Sequence, residues 1–207
     1  MKKLLRKKTH HYNTPGHAHL SRWQFFLRDE LTFSCYRREK HLNDKTACQI
    51  LLEEIEKSRK IYSFKLLSYV LMPNHVHLLI WPEMNSYDIS KILGGIKGIM
   101  SKQYKTFLME NDEETYRKYC INKRGKQTFI YWQPGGGFDR NLWNAKAIHD
   151  SIKYIEANPV RSRLVEAPSE WKWSSAYARL HNEGVIPDTC NISVNLYNAQ
   201  SQSVGKF

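Results

Sequence analysis

Ser63-Phe64-Lys65-Leu66-Leu67-Ser68-Tyr69-Val70-Leu71-Met72-Pro73-Asn74-His75-Val76-His77-Leu78-Leu79-Ile80-Trp81 reads as two β-strands joined by a tight turn. Residues 63–72 are rich in aliphatic and aromatic side chains, Pro73-Asn74 is a turn pair, and residues 75–81 return antiparallel. Side chains alternate faces along a strand. His75 and His77 therefore share one face, and Val76, Leu78 and Ile80 share the other. The apolar face belongs to a core. The two imidazoles are half of a metal site, although a chain with nine histidines also places pairs on strands by chance.

Working outward, residues 31–36 form a first strand. Asn43 or Asp44 caps a helix running to about residue 60, with Cys48, Leu51, Leu52 and Ile55 at helical spacing. A second helix spans residues 88–107, with Ile89, Ile92, Leu93, Ile96, Met100 and Phe107 on its apolar face. A polar connection leads to a fourth strand at residues 128–133 and a flexible loop, Gly135-Gly136-Gly137. Asn144 caps a further helix that ends at Pro159. Trp171-Lys172-Trp173-Ser174-Ser175 begins a last short element. The order β-α-β-β-α-β predicts an α+β, ferredoxin-like antiparallel sheet, with two helices on one face and an additional C-terminal helix. The other face stays open, and His75 and His77 lie on it. Residues 1–182 read as one domain, with a basic N-terminal arm at 1–30. Residues 183–207 read as a polar tail.

The 207 residues are enough for one domain with a proper core, and 41% are hydrophobic, so the chain is globular. Its net charge of +12 points to a polyanionic partner, and its 13% aromatics offer stacking surfaces for unpaired bases. The four cysteines have neither disulfide-framework nor zinc-finger spacing, so they read as reduced thiols of a cytoplasmic, nucleoid-associated protein. No apolar segment follows the basic start as in a signal peptide, no run approaches the roughly 20 residues of a membrane span, and no P-loop is present.

The helix before Pro159 supplies what a metal site lacks. Ile148, Ile152 and Ile155 form its buried stripe. Tyr154 and Asn158, four residues apart, are neighbours on one flank. A phenol and an amide oxygen thus reach the same place. Taken singly, the tyrosine also reads as a packing residue and the asparagine as a helix cap.

Four blocks carry a resemblance: Met72-Pro73-Asn74-His75-Val76-His77-Leu78-Leu79; Trp132-Gln133-Pro134-Gly135-Gly136-Gly137-Phe138-Asp139-Arg140-Asn141; Tyr154-Ile155-Glu156-Ala157-Asn158-Pro159-Val160-Arg161; and Trp171-Lys172-Trp173-Ser174-Ser175. Together, over about residues 30 to 178, they resemble the single-tyrosine His–hydrophobic–His transposases, in particular the REP-associated tyrosine transposases of bacteria. The resemblance implies a single-stranded DNA endonuclease and strand-transferase acting at hairpins. It makes Tyr154 the nucleophile and His75, His77 and Asn158 the ligands of Mg²⁺ or Mn²⁺. It also implies a 5′-phosphotyrosine intermediate and a protein acting as a monomer or homodimer.

The chemistry suits these residues. A phenol ionises near pH 10 and needs help at neutral pH. Neutral imidazole and amide ligands leave a divalent cation its full charge for a phosphate. Of the competing nucleophiles, Tyr104 has Leu108 at i+4, Tyr131 must face the site by chance, and Ser174 and Ser175 have no adjacent base. His149 reads as a surface residue. DNA-contact candidates are Lys97, Lys102 and Lys105, then Arg140, Arg161 and Arg163, with Trp132 and Phe138 as stacking platforms or packing residues. The chain departs from the family pattern where Pro15-Gly16-His17-Ala18-His19 is separated from Leu31-Thr32-Phe33-Ser34-Cys35: residues 20–30 read as an insertion within the first strand, an extra edge or a bulged loop, and His17 and His19 as structural. Two rivals remain: a catalytically inactive nucleic-acid-binding protein on the same fold, and a metal-dependent hydrolase that activates water.

Overall fold

The computed structural model describes residues 28–84, 86–135 and 137–188; the expected N-terminal arm up to residue 27, with His17 and His19, and the tail from residue 189 lie outside them. Four strands form one antiparallel sheet: β1 (Arg28–Ser34), β2 (Phe64–Met72), β3 (His75–Pro82) and β6 (Phe138–Leu142), in the order β2-β3-β1-β6. Helices α1 (Lys45–Ile61) and α2 (Ile89–Asn111) cover one face. This is the expected ferredoxin-like arrangement. The first strand begins three residues before its sequence-based position.

The alternation along β3 divides the molecule. Val76, Leu78 and Ile80 join Leu31 and Phe33 of β1, Leu51 and Ile55 of α1, and Ile96 and Met100 of α2 in the main core. Asp44 and Asp88 cap the two helices, accepting from the backbone N–H groups of Ala47 and of Ser90 and Lys91. The opposite face is not left open. Helix α4 (Ala145–Arg161) lies on it, and its Ile148 and Ile155 close a smaller core with Leu67, Val70, Met72, Leu79 and Leu142. A β-bulge between Leu66 and Ser68 helps to build this second layer. Leu67 enters the smaller core, and the Ser68 hydroxyl donates to Glu156 of α4 at 3.3 Å.

The fourth strand is not where the apolar run placed it. Residues 120–129 form a separate hairpin, β4 (Cys120–Lys123) with β5 (Lys126–Phe129), which follows the short helix α3 (Glu113–Lys118). Tyr131 and Trp132 are core residues that meet the sheet just past the end of β1, through the Tyr36 N–H to Tyr131 carbonyl bond of 2.8 Å and the Cys35–Trp132 bridge. The chain then loops out and rejoins the same edge as β6, a polar strand without an alternating apolar pattern. Two further expectations are corrected. Helix α4 runs through Pro159 to Arg161, and residues 183–188 are docked, with the Asp188 carboxylate accepting from Arg59 at 2.5 Å and from the Leu66 N–H at 3.1 Å.

Rejoining the edge depends on Gly137, whose φ is +84°. A Cβ there would stand 2.1 Å from the Thr32 carbonyl oxygen, far inside contact distance, and the clash is with backbone of the strand that β6 pairs. Gly98, inside α2, has nothing within 4 Å of such a Cβ. Gly137→Ala is therefore expected to lower unfolding stability by about 1–3 kcal/mol, and Gly98→Ala to raise it by up to about 1 kcal/mol, both read from urea unfolding midpoints.

Candidate functional site

Pairing in the sheet fixes what surrounds the two histidines. His75 stands opposite Ser34 of β1 and Met72 of β2, and His77 stands opposite Thr32 and Val70. Their rings lie 4.9 Å apart between centroids, at 81°. Each Nδ1 is held by a neighbour: that of His75 by the Asn74 side-chain oxygen at 2.6 Å, and that of His77 by the Thr32 hydroxyl at 2.8 Å. A carboxamide oxygen only accepts, so the proton of His75 is assigned to Nδ1 and its Nε2 keeps a lone pair. The Thr32 hydroxyl can accept in the same way. Burial pushes the His75 imidazole down to about 4, helped by the positive potential of His77 and Arg38. Burial alone brings His77 to about 4. Both rings are neutral at pH 7, the form that binds metal.

Helix α4 brings the phenol to this pair. The Tyr154 ring stands perpendicular to that of His77, with centroids 5.8 Å apart, and is 41% exposed. The Arg161 guanidinium, two turns further on, lies 4.9 Å over the same ring, within cation–π reach. The helix is fastened by two carboxylates. Glu30 of β1, buried, accepts from Ser151 of α4 at 3.0 Å and from Arg140 of β6 at 2.6 Å. Glu156 accepts from Ser175, at the start of α5 (Ser175–His181), at 2.6 Å, and pairs with Arg179.

Asn158 solves a problem that Pro159 creates. Proline has no N–H, so the Ile155 carbonyl loses its helical partner. The Asn158 side-chain NH₂ donates to that carbonyl at 3.2 Å and to the Tyr154 carbonyl at 2.8 Å. With both amide hydrogens engaged, the Oδ1 atom is the part of this buried side chain left to accept or coordinate. A carboxylate could not make the two donations. Two neutral imidazoles of fixed orientation and one amide oxygen are a donor set that fits a divalent cation. Among the described residues no cluster of three His, Cys, Asp or Glu side chains occurs.

The other sequence-derived candidates separate. Phe138 is 58% exposed and pairs with Thr32, so it lies on the histidine face, and Arg140 follows two residues on. Arg163 is exposed just beyond α4. Trp132 is only 7% exposed, packs against Phe33 and donates to the Lys97 carbonyl at 3.1 Å; it is a packing residue, not a free platform. The Lys97 ammonium donates to the Gly135 carbonyl at 2.8 Å and so braces the glycine loop. Lys102 and Lys105 are on α2, in the layer across the sheet from the histidines. Tyr104 and Tyr131 are buried in the main core, and the Ser174 and Ser175 hydroxyls are engaged in capping and tertiary hydrogen bonds. Thr32, Glu30 and the Arg37–Arg38 pair had no sequence signal as site residues, and Asn74 had one only as a turn residue. Thr32 becomes visible only with the strand register, and Asn74 could have been found as the neighbour of a candidate ligand. A cleft of about 700 Å³ between α1 and the segment around Trp173 and Val185 is lined by none of the site residues.

Residues 27–131, just over half of the chain, match the family model described as "Transposase IS200 like". The match includes His75 and His77 and stops before α4. No curated protein sequence matches the chain. Among solved structures, a REP-associated tyrosine transposase bound to a REP hairpin is similar with a TM-score of 0.58 at 20% identity, over 82% of this chain and 90% of that one. A proposed transposase of Deinococcus radiodurans R1 gives 0.43 at 17% identity, over 69% of this chain and 95% of that one.

The exchange between Asn158 and Pro159 is open to measurement. Asn158→Ala is expected to destabilise the fold by about 1–3 kcal/mol, because a buried carbonyl is left without a donor. In a Pro159→Ala background the backbone N–H returns to the Ile155 carbonyl, and the loss should shrink by half or more. Equal losses in the two backgrounds of a double-mutant cycle would show that the amide does not replace the missing donor.

Proposed function

The chain belongs to the IS200-like transposase family, and we propose that it cuts and rejoins single-stranded DNA at hairpins, with Tyr154 as its nucleophile. One observation carries this reading: a half-exposed phenol stands 5.8 Å, ring to ring, from His77, one of a pair of neutral, oriented histidines of the same chain. In the step proposed, Tyr154 Oη attacks the phosphorus of a phosphodiester. The Oη–P bond forms as the P–O3′ bond breaks. The departing oxygen takes up a proton to become a 3′-OH, the phenol loses its proton to solvent, and the protein keeps the 5′-phosphate. The linkage preserves the phosphodiester's energy, so another 3′-OH can reverse the reaction and join strands without a nucleotide cofactor.

His75, His77 and Asn158 would hold Mg²⁺ or Mn²⁺. Such an ion polarises a non-bridging phosphate oxygen and offsets charge in the transition state. Thr32 and Asn74 keep the imidazoles oriented, and Arg161 holds the phenol by its ring face. Phe138, exposed on the same sheet face, is suited to stack on an unpaired base. Arg140 and Arg163 add positive charge nearby. The hairpin substrate is inferred from the similar fold of a transposase bound to a REP hairpin.

A hydrolase that activates water would need a free carboxylate base at the histidines. The sequence candidate Glu83 lies past the far end of β3 and pairs with Lys65 at 3.3 Å, and Glu30 is engaged by Arg140 and Ser151. These placements favour the tyrosine.

Incubation of labelled hairpin DNA bearing a single-stranded extension with Mn²⁺, resolved on a denaturing gel, tests the reading. The wild type is expected to give a covalent protein–DNA adduct. Tyr154→Phe should give none while still binding the DNA. His75→Ala/His77→Ala should lose both the adduct and Mn²⁺ binding measured by calorimetry. Cleavage that survives Tyr154→Phe would favour the water mechanism, and DNA binding without any wild-type cleavage the inactive binding protein.

A further inference from the structure

The turn after β1 carries two arginines in a conformation that suits other residues. Tyr36–Arg38 is a single 3₁₀ turn in which Arg37 and Arg38 have φ of 53° and 57°. Two consecutive left-handed residues favour glycine or asparagine, because any larger side chain crowds its own backbone. The chain holds them there nonetheless. The Arg37 N–H donates to the Gln133 side-chain oxygen at 3.2 Å, and the Arg38 N–H to the Cys35 carbonyl at 3.0 Å. The Cys35 N–H in turn donates at 2.9 Å to the carbonyl of Asn74, the residue before His75.

The pair thus stands on the rim of the site, between the Pro73-Asn74 turn and the start of the glycine loop. Both side chains are exposed. Arg37 and Arg38 sit in no ion pair among the described residues, and the Arg37 guanidinium lies 5.2 Å over the Tyr36 ring. Arg38 is near enough to His75 for the two to interact electrostatically. Two strained, exposed cations without carboxylate partners, beside a proposed phosphate-handling site, call for an anionic ligand.

We propose that Arg37 and Arg38 form a phosphate clamp, gripping backbone phosphates of the single strand next to the phosphodiester placed at His75 and His77. The guanidinium fork matches phosphate oxygens in pairs and stays charged at any working pH. Asparagine or glycine would relax the turn but supply no cation. This inference rests on the DNA-cleaving function proposed above and names a contact of that same site.

The test uses the full chain with Tyr154→Phe, which prevents covalent capture, without added metal. Binding of a fluorescent hairpin with a single-stranded extension is followed by anisotropy over a range of salt. Arg37→Asn/Arg38→Asn is expected to raise Kd about 10-fold at 0.1 M salt. The plot of log K against log salt should become shallower by about 0.7 for each arginine removed. Because asparagine fits the left-handed turn, the melting temperature should hold or rise. Arg37→Lys/Arg38→Lys should restore the salt slope but not the full affinity. An unchanged Kd and slope would overturn the clamp. So would a fall in melting temperature alongside the affinity, which marks a structural role. An equal loss in Lys123→Ala/Lys126→Ala, at the exposed β4–β5 turn, would reduce the effect to bulk charge. Absence of a wild-type covalent adduct bears on the cleavage function alone, because the clamp is read from binding.

Discussion

Everything in this protein is arranged around the two-residue repeat of one central strand. β3 has a neighbour on each side, so its register is fixed twice over, and a slip of one residue would exchange its faces. Val76, Leu78 and Ile80 would then leave the main core for the α4 side, and the imidazoles would enter a space filled by Leu51, Ile55 and Ile96. The burial that stabilises the fold is thus the same force that orients the histidines. Thr32 and Asn74 act on rings whose position the hydrophobic effect has already set.

The second half of the site is held differently. α4 rests on a small apolar patch, and polar side chains do much of the positioning: Glu30 towards the first half of the helix and Glu156 towards the second. Polar anchors of this kind are directional, so they set rotation about the helix axis, which an apolar stripe leaves loose. Rotation is what matters for Tyr154, because its ring must meet His77 edge to face. The Asn158-Pro159 step adds a local constraint, since the side chain that repairs the proline's missing donor is thereby fixed in its own orientation.

Much of this was legible in the sequence, for physical reasons that can be stated residue by residue. The strand–turn–strand at 63–81 showed itself because an apolar run of strand length lies on each side of the Pro73-Asn74 turn. The helices showed themselves through caps at Asn43 or Asp44 and at Asn144, and through apolar stripes of helical period. Tyr154 and Asn158 could be placed on one flank because α-helical geometry leaves little choice. β6 was illegible because an edge strand with charged positions has no alternating apolar pattern, while the more apolar Tyr131 and Trp132 imitated a strand and are packing residues. Pro159 suggested a helix end because the side chain that compensates for it is invisible in a propensity argument. The left-handed turn at Arg37-Arg38 could not be foreseen, since nothing in those residue types asks for positive φ.

The same polar, interrupted edge that hid β6 from a pattern search has a consequence for the behaviour of many copies together. Open sheet edges are templates on which chains pair with one another, and short, charged or bulged edge strands resist it. β6 is five residues long, carries Asp139 and Arg140, and is separated from the Tyr131–Trp132 segment by the glycine loop. At the opposite margin, residues 171–174 lie along β2, with the Leu71 N–H donating to the Trp173 carbonyl at 2.9 Å and the Trp171 indole to the Leu71 carbonyl at 2.9 Å. One margin is blunted and the other is covered, so this sheet is poorly suited to recruit a stranger's backbone and seed fibrils. A sheet whose strands β2 and β3 are buried along almost their whole length is thereby protected where many molecules are concentrated together.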